Sequence, residues 1–131
     1  MRVRLQLKSR LRSNNELIRM NKHKRQKLID VWAWIVATEL NHTGQQYIGN
    51  NTKFTCPVKV KITIFRPGGR PWDDANLFGG ADKLVADHLV TQRILVDDSS
   101  KWLTWEKPEQ RTGKAKVIVE IEDDPGRRGE T

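Results

Sequence analysis

Apolar and polar residues alternate in three places along the chain. Val3, Leu5 and Leu7 alternate with Arg2, Arg4, Gln6 and Lys8. Val58, Val60, Ile62 and Ile64 alternate with Lys59, Lys61, Thr63 and Phe65. Ala115, Val117, Val119 and Ile121 alternate with Lys116, Ile118, Glu120 and Glu122. A period of two sends one set to a buried face and the other to the opposite face, so residues 2–8, 58–65 and 114–122 are predicted strands. Ile94–Val96 and Trp102–Glu106 are shorter and predict brief strands. Between the first two strands the spacing becomes helical. Leu28, Trp32, Ile35 and Glu39 share one stripe, with Val31 and Val36 beside it, and His42-Thr43-Gly44 ends the helix near Asn41. Trp34 lies off that stripe, so this helix has apolar surface on more than one side, which a second copy of the chain can cover. A further helical pattern lies within residues 72–99. There Asn76, Gly80, Lys83 and Asp87 form one stripe, and Leu77, Ala81, Leu84 and Val85 form the adjoining apolar one.

Strands, helices and paired strands in this order predict an α+β fold: a small mixed sheet with two main helices packed on one face. The pattern fills residues 1–124 as a single domain. Residues 125–131, with Pro125-Gly126 and Gly129, make a C-terminal tail that frays. Residues 42–57 form a polar loop of unusual length for a compact domain, to which the sequence assigns no role. Arg2, Arg4, Lys59, Lys61 and Lys116 fall on the face of the sheet away from the helices. That face is either a nucleic-acid surface or an ordinary solvated one.

Charge changes the picture because it is uneven. The formal net charge is +8, yet residues 1–28 hold ten Lys/Arg and one acid, and the rest of the chain is nearly neutral. A basic region on a neutral body points to a polyanionic partner, most simply nucleic acid; a basic tail that only aids solubility is the alternative. A single cysteine, Cys56, rules out an internal disulfide, and three histidines argue against a Cys/His zinc site. No apolar run approaches membrane-spanning length and the N-terminus lacks a signal-peptide core, so the expectation is a cytoplasmic protein with no membrane partner.

The candidate chemistry lies in 72–99. Asp73-Asp74 and Asp97-Asp98 bracket the second helical pattern. If the two pairs meet, four carboxylates converge beside the Lys83 ammonium. Such crowding of like charge is stable mainly around a cation, and hard oxygen donors suit Mg2+, with Mn2+ as an alternative. Two such ions can activate water against a phosphodiester and stabilise its leaving oxygen, and Lys83 can meet the charge that develops on the phosphate. Each piece also has a structural reading. Asp73 or Asp74 is a good helix N-cap, Asp97-Asp98-Ser99 is a common turn, Lys83 and Asp87 are an i, i+4 pair, and His88 reads as a partly buried structural histidine. Gly79-Gly80 in a helical pattern costs roughly 1 kcal/mol per residue relative to Ala, which close approach of a backbone or substrate would explain.

The spacing Asp73-Asp74-Ala75-Asn76-Leu77, then Lys83-x-x-x-Asp87-x-Leu89, then Asp97-Asp98-Ser99 resembles the RusA family of Holliday junction resolvases, metal-dependent endonucleases of phages and prophages. Ser13-Asn14-Asn15 after the first strand resembles the family's N-terminal turn. The resemblance spans most of residues 2–122, and its specific part is 73–99. Where the family often has Asp before the Asn, this chain has Ala75; either Asp74 substitutes or the metal site is short of a ligand. The resemblance implies a homodimer that cuts two strands of a four-way junction symmetrically, inside a bacterial or phage-infected cell. It implies Asp73, Asp74 and Asp98 as metal ligands, Asp97 as a supporting carboxylate, Lys83 on the phosphate and Asn76 orienting the acids. DNA contacts are expected from Arg10, Arg12, Asn14, Arg19, Lys22, Lys24, Arg25 and Arg70, and Trp72 either stacks on an unpaired base or packs. The alternatives are a catalytically impaired DNA-binding module of the same fold, or a small protein that binds RNA or another partner and whose acids only cap a helix.

Overall fold

The computed structural model describes residues 1–8, 19–68 and 81–124, with the side chains of 81–83 excepted. Its elements in chain order are β1 (Arg2–Leu7), α1 (Lys22–His42), β2 (Val58–Arg66), α2 (Ala81–Thr91), β3 (Leu103–Trp105), β4 (Glu109–Thr112) and β5 (Lys116–Asp123). The predicted tail, 125–131, lies outside the described residues.

Five strands form one mixed sheet in the order β1-β5-β2-β3, with β4 also paired to β2. The last strand, β5, is central and antiparallel to both β1 and β2. β3 and β4 run parallel to β2 along its other edge, one after the other, β3 against Val58–Val60 and β4 against Thr63–Arg66. Alternation and register together build three apolar rungs on one face: Val3–Ile121–Val60, Leu5–Val119–Ile62 and Leu7–Val117–Ile64. All nine side chains are buried in the core. The α+β architecture with its two helices on one face is therefore as the pattern predicts.

α1 lays Trp32, Val36 and Leu40 into that core, with Leu28 and Ile35 partly covered. The buried stripe is thus centred one residue away from the predicted Leu28–Trp32–Ile35–Glu39 line, and Val31 turns out to solvent at 50% exposure. α2 contributes Val85, Ala86 and Leu89. Both helices end in the same way. After α1, Gly44 sits at φ 69° and donates to Asn41 O, while Gln45 N–H donates to Leu40 O. After α2, Arg93 sits at φ 61° and donates to Val90 O, while Ile94 N–H donates to Leu89 O. These paired bonds are the Schellman arrangement, and they satisfy carbonyls that a helix end leaves open.

One expectation needs correcting, and one strand forms where alternation predicts none. Ile94–Val96 is not a strand: Ile94 and Leu95 are buried because the turn after α2 folds them under Leu89. Glu109–Thr112 is a strand although its sequence, Glu-Gln-Arg-Thr, has no apolar alternation. It forms because β2 offers an open edge, and backbone pairing needs no apolar side chain. The long loop 42–57 also acquires a structural role. Lys53 N–H and Phe54 N–H donate to Arg93 O and Ile94 O, and Phe54 is buried in the core. The loop thereby ties the end of α2 to the start of β2.

Candidate functional site

Asp73, Asp74 and Asn76, like Arg10, Arg12, Asn14, Arg70 and Trp72, lie outside the described residues, and so do Gly79-Gly80 and the Lys83 side chain. The second half of the motif lies within the described residues. α2 carries Lys83, and about one turn further on Asp87 is exposed. The Schellman turn at Arg93 then leads to Asp97-Asp98-Ser99, and Ser99 O accepts from Trp102 and Leu103 N–H just before β3 begins. The Asp pair is therefore fixed between two hydrogen-bonded turns. One ties it to α2, the other to the edge of the sheet.

Within the pair the carboxylates differ. Asp97 lies in its own turn, where the Asp98 N–H and the Ser99 hydroxyl donate to it and hold its carboxyl below the usual range. These donors keep it ionised, but they also occupy lone pairs that a metal would need. Asp98 is half-buried. Among the described residues, no three His, Cys, Asp or Glu side chains gather closely enough to hold a metal ion. The described part of the motif thus offers Asp98 and part of Asp97, which is short of a set of oxygen ligands.

His88 is not in this neighbourhood. It is 8% exposed, between the helices, and donates through one ring nitrogen to the Ile29 carbonyl of α1. Its Nε2 is buried with no partner. Burial pushes its pKa down, against smaller opposing effects of Asp87, the Ile29 bond and Asp30. It is a structural histidine that joins α1 to α2. Cys56 is also structural: its Sγ donates to Asp123 Oδ1 at 3.4 Å, and burial raises its pKa, which keeps it a thiol.

The basic residues divide by location. Lys22, His23, Lys24, Arg25 and Lys27 are all exposed in the first turns of α1, and Arg19 is exposed just ahead of them. Asn21 caps the helix by accepting from Lys24 N–H at 2.8 Å, and the first turn has no acid. Cations at the positive end of a helix dipole repel it, an arrangement that a phosphate relieves. On the sheet the expected basic face is largely neutralised. Arg2 bonds Glu120 at 2.7 Å, Lys59 lies 3.2 Å from Glu122 and 3.8 Å from Glu106, and Lys61 bonds Glu109. Lys61 and Arg111 together bring the Glu109 pKa down to about 2. Alternation showed where these lysines point, but register was needed to show that Glu120 and Glu122 lie between them.

α1 also leaves an apolar groove against the end of β1, lined by Leu7, Trp34, Ile35, Thr38 and His42, with Trp34 68% exposed. No helix among the described residues is long and apolar enough to cross a membrane. Comparison with protein-family models finds none that matches the chain, and comparison with curated proteins finds no match either.

Proposed function

We propose that the protein is a magnesium-dependent, structure-selective DNA endonuclease of the RusA kind, acting as a homodimer on four-way junctions. The observation that carries this reading is the Asp97–Ser99 turn, held between α2 and β3 with Asp97 kept ionised, on the same unit as the helix that carries Lys83. Asp73, Asp74 and Asp98 would hold the metal, and Asp97 would orient Asp98 through the turn they share. The bound metal would supply an activated water and charge neutralisation at the leaving oxygen. Lys83 would hold the scissile phosphate, and Asn76 would fix the acids. Arg19, Lys22, Lys24 and Arg25, with Arg10, Arg12, Asn14 and Arg70, would grip the backbone. Trp34 and Val31 supply the apolar surface that a second copy would cover.

A second reading has its own support. Asp97 spends its oxygens on its own turn, and Ala75 stands where the family often has an acid. Both features favour a module that binds DNA without cutting it. A labelled synthetic four-way junction with and without Mg2+ separates the two. The nuclease predicts symmetric nicks from the wild type and at least a hundredfold slower cutting by Asp98→Asn, with junction affinity unchanged within threefold. The module predicts salt-sensitive binding by both proteins and no nicks from either.

A further inference from the structure

The sheet's face away from the helices consists of four rungs. Register sets Arg2, Glu122 and Lys59 on the first, Arg4, Glu120 and Lys61 on the second, and Gln6, Ile118, Thr63 and Glu109 on the third. The fourth holds Lys116, Phe65 and Arg111, and one more step of the β1–β5 register sets the exposed Lys8 opposite Lys116. On the first two rungs a glutamate stands between two cations. Among the described residues, no carboxylate stands on the fourth. Its nearest acid by register is Glu109, which already accepts from Lys61 as well as from Arg111. Like charges placed opposite one another on a sheet destabilise it, so folding alone gains nothing from Lys8 beside Lys116.

The fourth rung also holds an aromatic ring. Phe65 is only partly buried, and the Lys116 Nζ lies 4.5 Å from its centroid. Gly113 brings only backbone to the ring's edge, where a Cβ would meet Phe65 Cδ1 at 3.4 Å. Arg66 and Lys114 flank the rung at the ends of β2 and of the β4–β5 turn. From Lys8 to Arg111 the row crosses three strand spacings, roughly 14 Å, enough to meet more than one phosphate.

We propose that this row binds an unpaired nucleic-acid strand, with phosphates along Lys8, Lys116 and Arg111 and a base against Phe65. Cations interleaved with an aromatic face suit a strand whose bases are free to stack, whereas a duplex keeps its bases inside. The row rests on the nucleic-acid half of the proposed function and not on catalysis. In a branched substrate it would hold strand that has left the paired arms.

The test uses the full chain, a labelled 20-nucleotide single strand and the duplex of the same sequence, with binding followed by fluorescence anisotropy across a salt series. Phe65→Leu is expected to weaken single-strand binding about tenfold, leaving duplex affinity and the salt slope unchanged. Lys8→Glu with Lys116→Glu is expected to flatten the logarithmic salt slope by about 1.4. Arg2→Gln, on a neutralised rung, is expected to bind within twofold of wild type. Circular dichroism melts identify the folded variants, and Lys116→Gln replaces the double variant if that fails to fold. Folded Phe65→Leu and lysine variants that bind single strands like wild type would overturn the proposal, as would a wild type that prefers duplex. Junction cutting that persists while the row proves indifferent sinks the row alone. A row that governs binding in a protein that never cuts sinks the nuclease alone.

Discussion

At the scale of the residue, His88 shows how burial decides a role that spacing leaves open. It lies beside the apolar stripe of α2, so its burial was legible, but its bond to the Ile29 carbonyl was not, because that partner lies 59 positions away. Its lowered pKa has a thermodynamic consequence. The unfolded chain takes up a proton on this histidine at a higher pH than the folded chain does, so its contribution to stability is complete above the unfolded pKa near 6.5 and is lost as pH falls below it. Thermal melts between pH 7.5 and 5 are expected to show a falling midpoint in the wild type and a flatter profile in His88→Gln. The depressed acids Glu109, Asp97 and Asp123 lose their contribution only as pH falls through the ordinary carboxylate range and below it, so they do not mask this window.

Among the elements, the two helix ends make an instructive pair. The stop after α1 was readable because Gly44 supplies the left-handed conformation at no steric cost. The stop after α2 was not, because Arg93 takes the same conformation at a cost of about 1 kcal/mol. The structure gives the reason: the Arg93 guanidinium donates to Gly49 O at 2.9 Å, joining the turn to the 42–57 loop. Gly44→Ala is therefore expected to lower stability by about 1 kcal/mol, whereas Arg93→Gly, which relieves the backbone but loses that bond, is expected to fall within about 0.5 kcal/mol of wild type; urea unfolding measures both. β1, β2 and β5 announced themselves by alternation because one face of each is buried. β4 and the true role of Ile94-Leu95 depend on what a neighbouring element offers, which no local pattern records. The candidate site divides likewise: spacing alone named its acids, but only the folded turn reveals that Asp97 is already engaged.

For the whole molecule, the sheet's two edges are both guarded. On β1, Gln6 N–H donates to the Glu39 carboxylate at 2.9 Å and Arg4 O accepts from the Gln45 side chain at 3.2 Å. On the other side β3 and β4 are separated by Glu106-Lys107-Pro108, so that edge is broken by a residue with no N–H. These features suppress strand-to-strand association, so the second copy proposed above would sit at the Trp34 groove and not on a strand edge. Glu39→Ala is expected to cost about 1–2 kcal/mol in urea and to produce concentration-dependent aggregates in light scattering, by freeing an edge amide. The central position of β5 has another outcome. β1 and β2 never touch each other in the order β1-β5-β2; the strand that joins them is the last to be made. During synthesis β1 has no strand partner, and β2 has only the short β3 and β4, until residue 123 clears the ribosome, so the sheet closes late and from distant contacts.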